Sequence, residues 1–320
     1  MSDPSPAIKP KRRLWLRILL VLLFFVLAVV GYYGYQLVQT MDQVYQPPTR
    51  EKSAKRENKV DITEDPVSIL LLGVDERKQK NDRGRSDTMM VITINPRQQT
   101  LKMMNIPRDT YTVIPGRSGY DKINHAYAFG GEELAITSVE EFLDIPIDYY
   151  AKVNMEGFTQ IIDVLGGVEV QVPFDFEYLE QAFKKGPMHL DGEAAIRYTQ
   201  MRKEDPQGDL GRNVRQQQVI KAILKKGTSP SSWSKWDDLL DEIGDNLTTD
   251  IAPKDIFRLQ GIYRDLGNKK METVAIKGEN QRIDGIYYYV VPDEEKARIQ
   301  QEIREHLEMS TNKAAASTKK

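Results

Sequence analysis

The chain has 320 residues, with 45 Lys/Arg against 47 Asp/Glu for a formal net charge of -2, and 40% of its side chains are hydrophobic. A near-neutral balance argues against a general nucleic-acid binder, which needs a basic excess, and the apolar content supports a packed core rather than disorder. Cysteine is absent, which excludes disulfides, thiolate catalysis and cysteine-bound zinc, while His125, His189 and His306 lie far apart without metal-ligand spacing.

Lys9, Lys11, Arg12 and Arg13 precede an apolar run from Leu14 to Val38, bordered by Trp15 at one end and Tyr32, Tyr33 and Tyr35 at the other. Roughly 20 apolar residues cross the hydrocarbon core, and aromatic residues favour its two interfaces. The basic cluster predicts residues 1–13 in the cytoplasm, one transmembrane anchor over 14–38 and everything later outside, a single-pass type II arrangement. The run lacks a small-x-small cleavage site and is long for a signal peptide, which favours an uncleaved anchor. Residues 39–66, polar and without apolar periodicity, read as an extracytoplasmic linker. A globular domain is expected over 67–308 and a disordered tail over 309–320.

Within that domain, Val67–Val74 reads as a strand buried on both faces. Thr88–Asn95 and Thr100–Ile106 read as an antiparallel hairpin, the first strand apolar on both faces, which only a sheet covered by helices tolerates. A polar loop then leads to a helix after Gly130-Gly131, with Leu134, Val139, Phe142 and Leu143 as its apolar stripe. A strand over 148–154, a helix over 156–165 and a strand over 168–172 continue the α/β succession. Two helices broken at Asp205-Pro206 follow, starting at Asp191 or Gly192 and at Asp209. Arg212, Arg215, Gln216 and Val219 share one face of the second. Further helices are expected near 231–243 and 253–266, then strands in METVAIK and IYYYVV and a closing helix over 293–307.

Chemistry concentrates at strand ends, where open α/β sheets bind ligands. Asp75 ends the first buried strand, and Asp87 begins the next. Two carboxylates with water and phosphate oxygens make an ordinary Mg²⁺ site, although Asp87 capping a turn and Asp75 paired with Arg77 or Arg85 explain the same spacing. Arg83, Arg85, Arg108, Arg202, Arg212 and Arg215 fall at element ends or on one helix face, and guanidinium grips phosphate bidentately. A solvated helix surface is the competing reading for Arg215. No GxSxG elbow and no Walker motif is present. From the residues alone, this is a membrane-anchored, outward-facing α/β domain with a Mg²⁺ and phosphate-ester site.

In order, SILLLGVD, RGRSDTMMV, IPRDTYTVIPG, KINHAYAFGG, IIDVLGGVEV, LDGEAAIRYTQMR and EDPQGDLGRNVRQQQVI closely resemble the LytR-CpsA-Psr family of cell-wall assembly proteins, over residues 67–227. The resemblance implies a three-layer α/β/α sandwich with a mixed central sheet and a hydrophobic pocket for a polyprenyl chain. It implies a phosphotransferase at the outer face of a Gram-positive-type cell membrane. Such an enzyme moves an anionic glycopolymer, such as wall teichoic acid, from a polyprenyl-pyrophosphate carrier to the muramic acid C6 hydroxyl of peptidoglycan. By motif, Asp75 and Asp87 correspond to Mg²⁺-associated aspartates, one of them a candidate base, and Arg108 joins them as catalytic. Arg85, Arg108, Arg202, Arg212 and Arg215 correspond to pyrophosphate-binding arginines with Gln216 beside them, and Arg83 and Lys122 are further substrate candidates. Many members carry Arg-x-Arg where this chain has Gln200-Met201-Arg202, so one cation is missing. The rival expectations are a polyprenyl-phosphate-binding regulator and a pyrophosphatase.

Overall fold

The computed structural model describes residues 44–76, 83–227, 244–252, 255–256, 258–259 and 271–309. The expected cytoplasmic residues 1–13, the anchor over 14–38, the helix near 231–243, most of that near 253–266 and the tail beyond 309 lie outside them. Among the described residues no helix is long and apolar enough to cross a membrane.

A six-stranded mixed sheet organises the domain. Strand β1 (Val67–Val74) lies inside it, antiparallel to β2 (Ser86–Asn95) and parallel to β6 (Tyr149–Asn154). β2 also pairs antiparallel with β3 (Thr100–Ile106), and the edges are β12 (Met271–Thr273) and β11 (Leu247–Thr249), giving the order β11-β6-β1-β2-β3-β12. Neighbouring side chains on a strand point to opposite faces, so a run apolar at every position needs cover on both. Leu70, Leu72, Met89 and Val91 pack under helix α1 (His125–Leu143) and helix α5 (Asp293–His306) through Val139, Phe142, Ile299 and Ile303. On the opposite face Ile69, Met90, Ile92 and Met103 meet Ile220 and Leu224 of helix α4 (Asp209–Gly227). Each such side chain contributes about 1.5–3 kcal/mol by leaving water.

A satellite core joins helices α2 (Met155–Val164), α3 (Gly192–Gln200) and α4 to β7 (Val168–Val172), β8 (Phe176–Tyr178), β9 (Gln181–Phe183) and β10 (Gly186–Leu190). The α3 start follows from its cap: the Asp191 side chain accepts from the Ala194 amide at 2.8 Å.

The expected boundaries hold for β1, β3 and β7, and β2 begins two residues before the expected Thr88. Helix α1 begins before the expected Gly130-Gly131 start but kinks there, because Gly131 adopts φ 65°, open to glycine. The polar loop expected from Tyr120 begins with β5 (Tyr120–Lys122), which forms a small hairpin with the unforeseen β4 (Tyr111–Val113). The expected IYYYVV strand is β14 (Ile286–Val290), paired with an unforeseen β13 (Glu279–Ile283).

The reading of 39–66 as a solvated linker is corrected for residues 44–66. Val44 and Ile62 are buried, and Arg56 pairs with the buried Asp148 at 2.6 Å. Arg50 and Ser53 both bind Glu140, at 2.8 and 2.6 Å. The acidic partners sit about 90 residues away in sequence, so local composition resembles that of a spacer.

Candidate active site

The site starts from an irregularity in the sheet. Gly73 faces Thr88 and Val74 faces Ser86, so the β1/β2 ladder skips Asp87. An extra residue of this kind kinks its strand and re-aims side chains. Asp87 and Thr88, consecutive residues, consequently line the same cavity. Just beyond the strand end, the Asp75 amide donates to the Arg85 carbonyl at 3.1 Å, which brings the arms carrying Asp75 and Asp87 side by side. Gly84, at φ 65°, passes so close to the Asp75 carbonyl that no Cβ fits.

The cavity, about 480 Å³, lies between the sheet and the α2, α3 and α4 layer. Leu71, Gly73, Val153, Phe158, Met201 and Ile220 give it apolar walls. Asp87, Arg108, Arg202, Arg212 and Gln216 give it a charged and polar side. An apolar slot with a few convergent polar groups is the usual form of a small-molecule site, and this one suits an amphiphile with an anionic head.

Arg108 donates to Asp87 at 2.6 Å, its Nε lies 3.8 Å from Asp109, and Lys122 lies 2.7 Å from the other Asp109 oxygen. Burial works against the Arg108 charge, but Asp87, Asp109 and Asp209 outweigh it and raise its pKa. Arg212 behaves oppositely. It is 7% exposed, and burial, reinforced by Arg108 and Arg202, lowers its pKa against the pull of Asp209. Its Nη2 lies 2.7 Å from Asp209, while its buried Nε has no hydrogen-bond partner among the described residues. Crowded guanidiniums with an unused donor favour an anion that accepts from several at once.

The other expected site residues divide. Gln216 and Arg202 line the cavity, and Asn105 donates to Gln216 at 3.2 Å. Gln200 lines it too, at the position where the resemblance expects a guanidinium. Arg215, 1% exposed, instead binds Asp205 and the carbonyls of Tyr198 (2.8 Å) and Met201, fastening the α3–α4 loop. Arg83 acts on Tyr127 and Glu132 on the α1 side of the sheet, and Arg85 is exposed beyond its carbonyl bond to Asp75. Lys122 reaches the site through Asp109. Thr88, Phe158 and Met201 are cavity residues that periodicity leaves indistinguishable from core.

No group of three or more His, Asp or Glu side chains suited to a metal occurs among the described residues. Asp75 and Asp87, on adjoining arms, supply two carboxylates, fewer than an all-protein metal cage requires.

The model of the LytR_cpsA_psr family matches residues 31–305. A polyisoprenyl-teichoic acid–peptidoglycan teichoic acid transferase TagU of Halalkalibacterium halodurans is 46% identical over 297 residues, 91% of this chain and 97% of the relative. The crystal structure of Bacillus subtilis TagU is 39% identical, covers 78% of this chain and 99% of its own, and superposes with a TM-score of 0.62. A structure titled TagT bound to LIIa-WTA is 34% identical, covers 82% and 99%, and superposes with a TM-score of 0.71.

Proposed function

The chain belongs to the LytR_cpsA_psr family, and from that premise we propose that it is a transferase attaching wall teichoic acid to peptidoglycan. The donor is the polymer on a polyprenyl-pyrophosphate carrier, and the acceptor is the muramic acid C6 hydroxyl. The carrier's chain lies along the apolar walls formed by Leu71, Val153, Phe158 and Ile220, and its pyrophosphate meets Arg108, Arg202, Arg212 and Gln216. The observation that carries this reading is Arg212, a buried guanidinium with an unused Nε in a wall of an apolar slot.

The acceptor oxygen attacks the phosphorus that bears the polymer, and the bond from that phosphorus to the polyprenyl-phosphate oxygen breaks. Arg108, Arg202 and Arg212 balance the charge that gathers on the departing phosphate, the main means by which proteins promote phosphoryl transfer. Asp87, or Asp75 beside it, takes the hydroxyl proton. Held by Asp75 and Asp87, Mg²⁺ would supply further neutralisation of phosphate charge. The apolar slot keeps bulk water from the bond being broken. The expected anchor over 14–38 holds this domain at the outer membrane face, within reach of a lipid-borne donor.

The test is to supply the full chain in detergent with lipid-linked polymer, Mg²⁺ and peptidoglycan oligomers, and to follow released polyprenyl phosphate. Release that requires the oligomers supports the reading. Equal release without them would make the protein a pyrophosphatase, and donor binding without release would make it a receptor.

A further inference from the structure

Beyond the cavity, the two small hairpins form an aromatic surface with no role so far. In the β4/β5 pair, Tyr111 faces Lys122 and Val113 faces Tyr120, so all four side chains stand on one face. Tyr120 is 58% exposed and Val113 44%. The Tyr111 ring stacks on Tyr120 at 4.7 Å and meets Tyr288 of β14 edge-on at 4.8 Å. Lys122 lies 5.9 Å from both the Tyr287 and Tyr288 rings. The exposed Tyr287 is held by its hydroxyl donating to Asn280 at 2.6 Å. Rings fixed in this way present apolar faces and wet edges at little entropic cost.

This surface is continuous with the site. The Tyr289 amide donates to the Asp109 carbonyl at 2.9 Å, and a bridge links Thr110 to Tyr289, which ties the hairpins together beside Arg108. Lys122 continues the line through Asp109 to Arg108 and Asp87. Burial, then Asp109 and Asp209, raise the Tyr287 pKa against the pull of Arg202, which lines the cavity. The exposed Arg117 and Arg282 carry positive charge on the same two hairpins, Arg282 opposite Tyr287 in register.

We propose that the Tyr120–Tyr111 face, backed by the buried Tyr288 and flanked by Lys122, is the subsite for the acceptor, a β-linked amino-sugar strand bearing acidic stem peptides, and that it feeds a muramic hydroxyl toward Asp87. Pyranose rings present C–H faces that stack on tyrosines, and their hydroxyl and amide edges suit Lys122 and the tyrosine hydroxyls. The stem carboxylates match the two arginines. This inference rests on the proposed acceptor, but its test does not require turnover.

Binding of uncross-linked peptidoglycan oligomers to the full chain in detergent micelles is measured for wild type, Tyr120→Ala and Tyr120→Trp. One partner ring is worth about 0.5–1.5 kcal/mol, so Tyr120→Ala should weaken oligomer binding about threefold to tenfold. Tyr120→Trp should restore it, and affinity for polyprenyl pyrophosphate should not move. Unchanged oligomer affinity in Tyr120→Ala overturns the subsite, and so does a loss confined to anionic vesicles, which would make the face a membrane contact. If the wild type binds oligomers through Tyr120 yet transfers nothing, the transfer reading fails and the subsite stands.

Discussion

Arg108 donates to Asp87 at 2.6 Å, and Asp87 is the residue that the β1/β2 ladder skips. The bulge frees the carboxylate from strand alternation and the arginine fixes where it points, so acid and cation share one wall of the cavity.

Replacing Arg108 by alanine should lower kcat by about 10²–10³-fold, the usual loss of one preorganised group facing developing charge. Thermal melting should change little, because the pair is partly exposed and such pairs are worth about 0–1 kcal/mol. Arg108→Lys should recover only part of the rate, since an ammonium lacks the planar fork. Full activity of the alanine variant would remove Arg108 from the site.

Arg215 and Arg202 should separate stability from binding. Arg215→Ala leaves the buried Asp205 unpaired and should cost about 3–5 kcal/mol in unfolding. Arg202, exposed at the cavity, should cost less than about 0.5 kcal/mol as alanine while weakening donor binding. Chemical denaturation of both variants, paired with donor titration, checks the division.

That contrast marks how far the chain could be read before its fold was known. The uniformly apolar run of β1 sufficed for a strand covered on both faces, and Asp191 sufficed for the α3 start. Helical spacing put Arg212 and Arg215 on one face, but a helix face does not say which residue meets a loop and which meets a cavity. That depended on Asp205, ten residues earlier and across a turn. The bulge at Asp87 has no compositional mark, because it reflects pairing between strands. The binding of 44–66 has no compositional mark for the same reason: Glu140 and Asp148 are distant in sequence.

His306 makes the fold sensitive to acid. Its ring nitrogens lie 2.8 Å from the Thr93 and Thr100 hydroxyls, and burial with nearby Lys102 pushes its pKa from 6.5 to about 4. The unfolded chain takes this proton first, so the contribution is complete above pH 6.5 and fades as pH falls through about 4. It amounts to about 3 kcal/mol. Asp250, which burial pushes up to about 6, acts with the opposite sign and partly offsets it. Unfolding free energies of wild type and His306→Gln from pH 7.5 to pH 4 should converge on acidification by roughly that amount.

Gln200 stands in the cavity wall where the family resemblance implies a guanidinium, and Gln200→Arg should tighten donor binding about tenfold. The gain should shrink with added salt. Titrations at two ionic strengths check this.

The most direct measurement is the affinity of the full chain for polyprenyl pyrophosphate before and after Arg212→Gln. The unused Nε and the like charges around Arg212 should be satisfied by the ligand's oxygens, so the variant should bind about 10–100-fold more weakly while still folding. Equal affinity in the two proteins would contradict the assignment of this cavity to the donor.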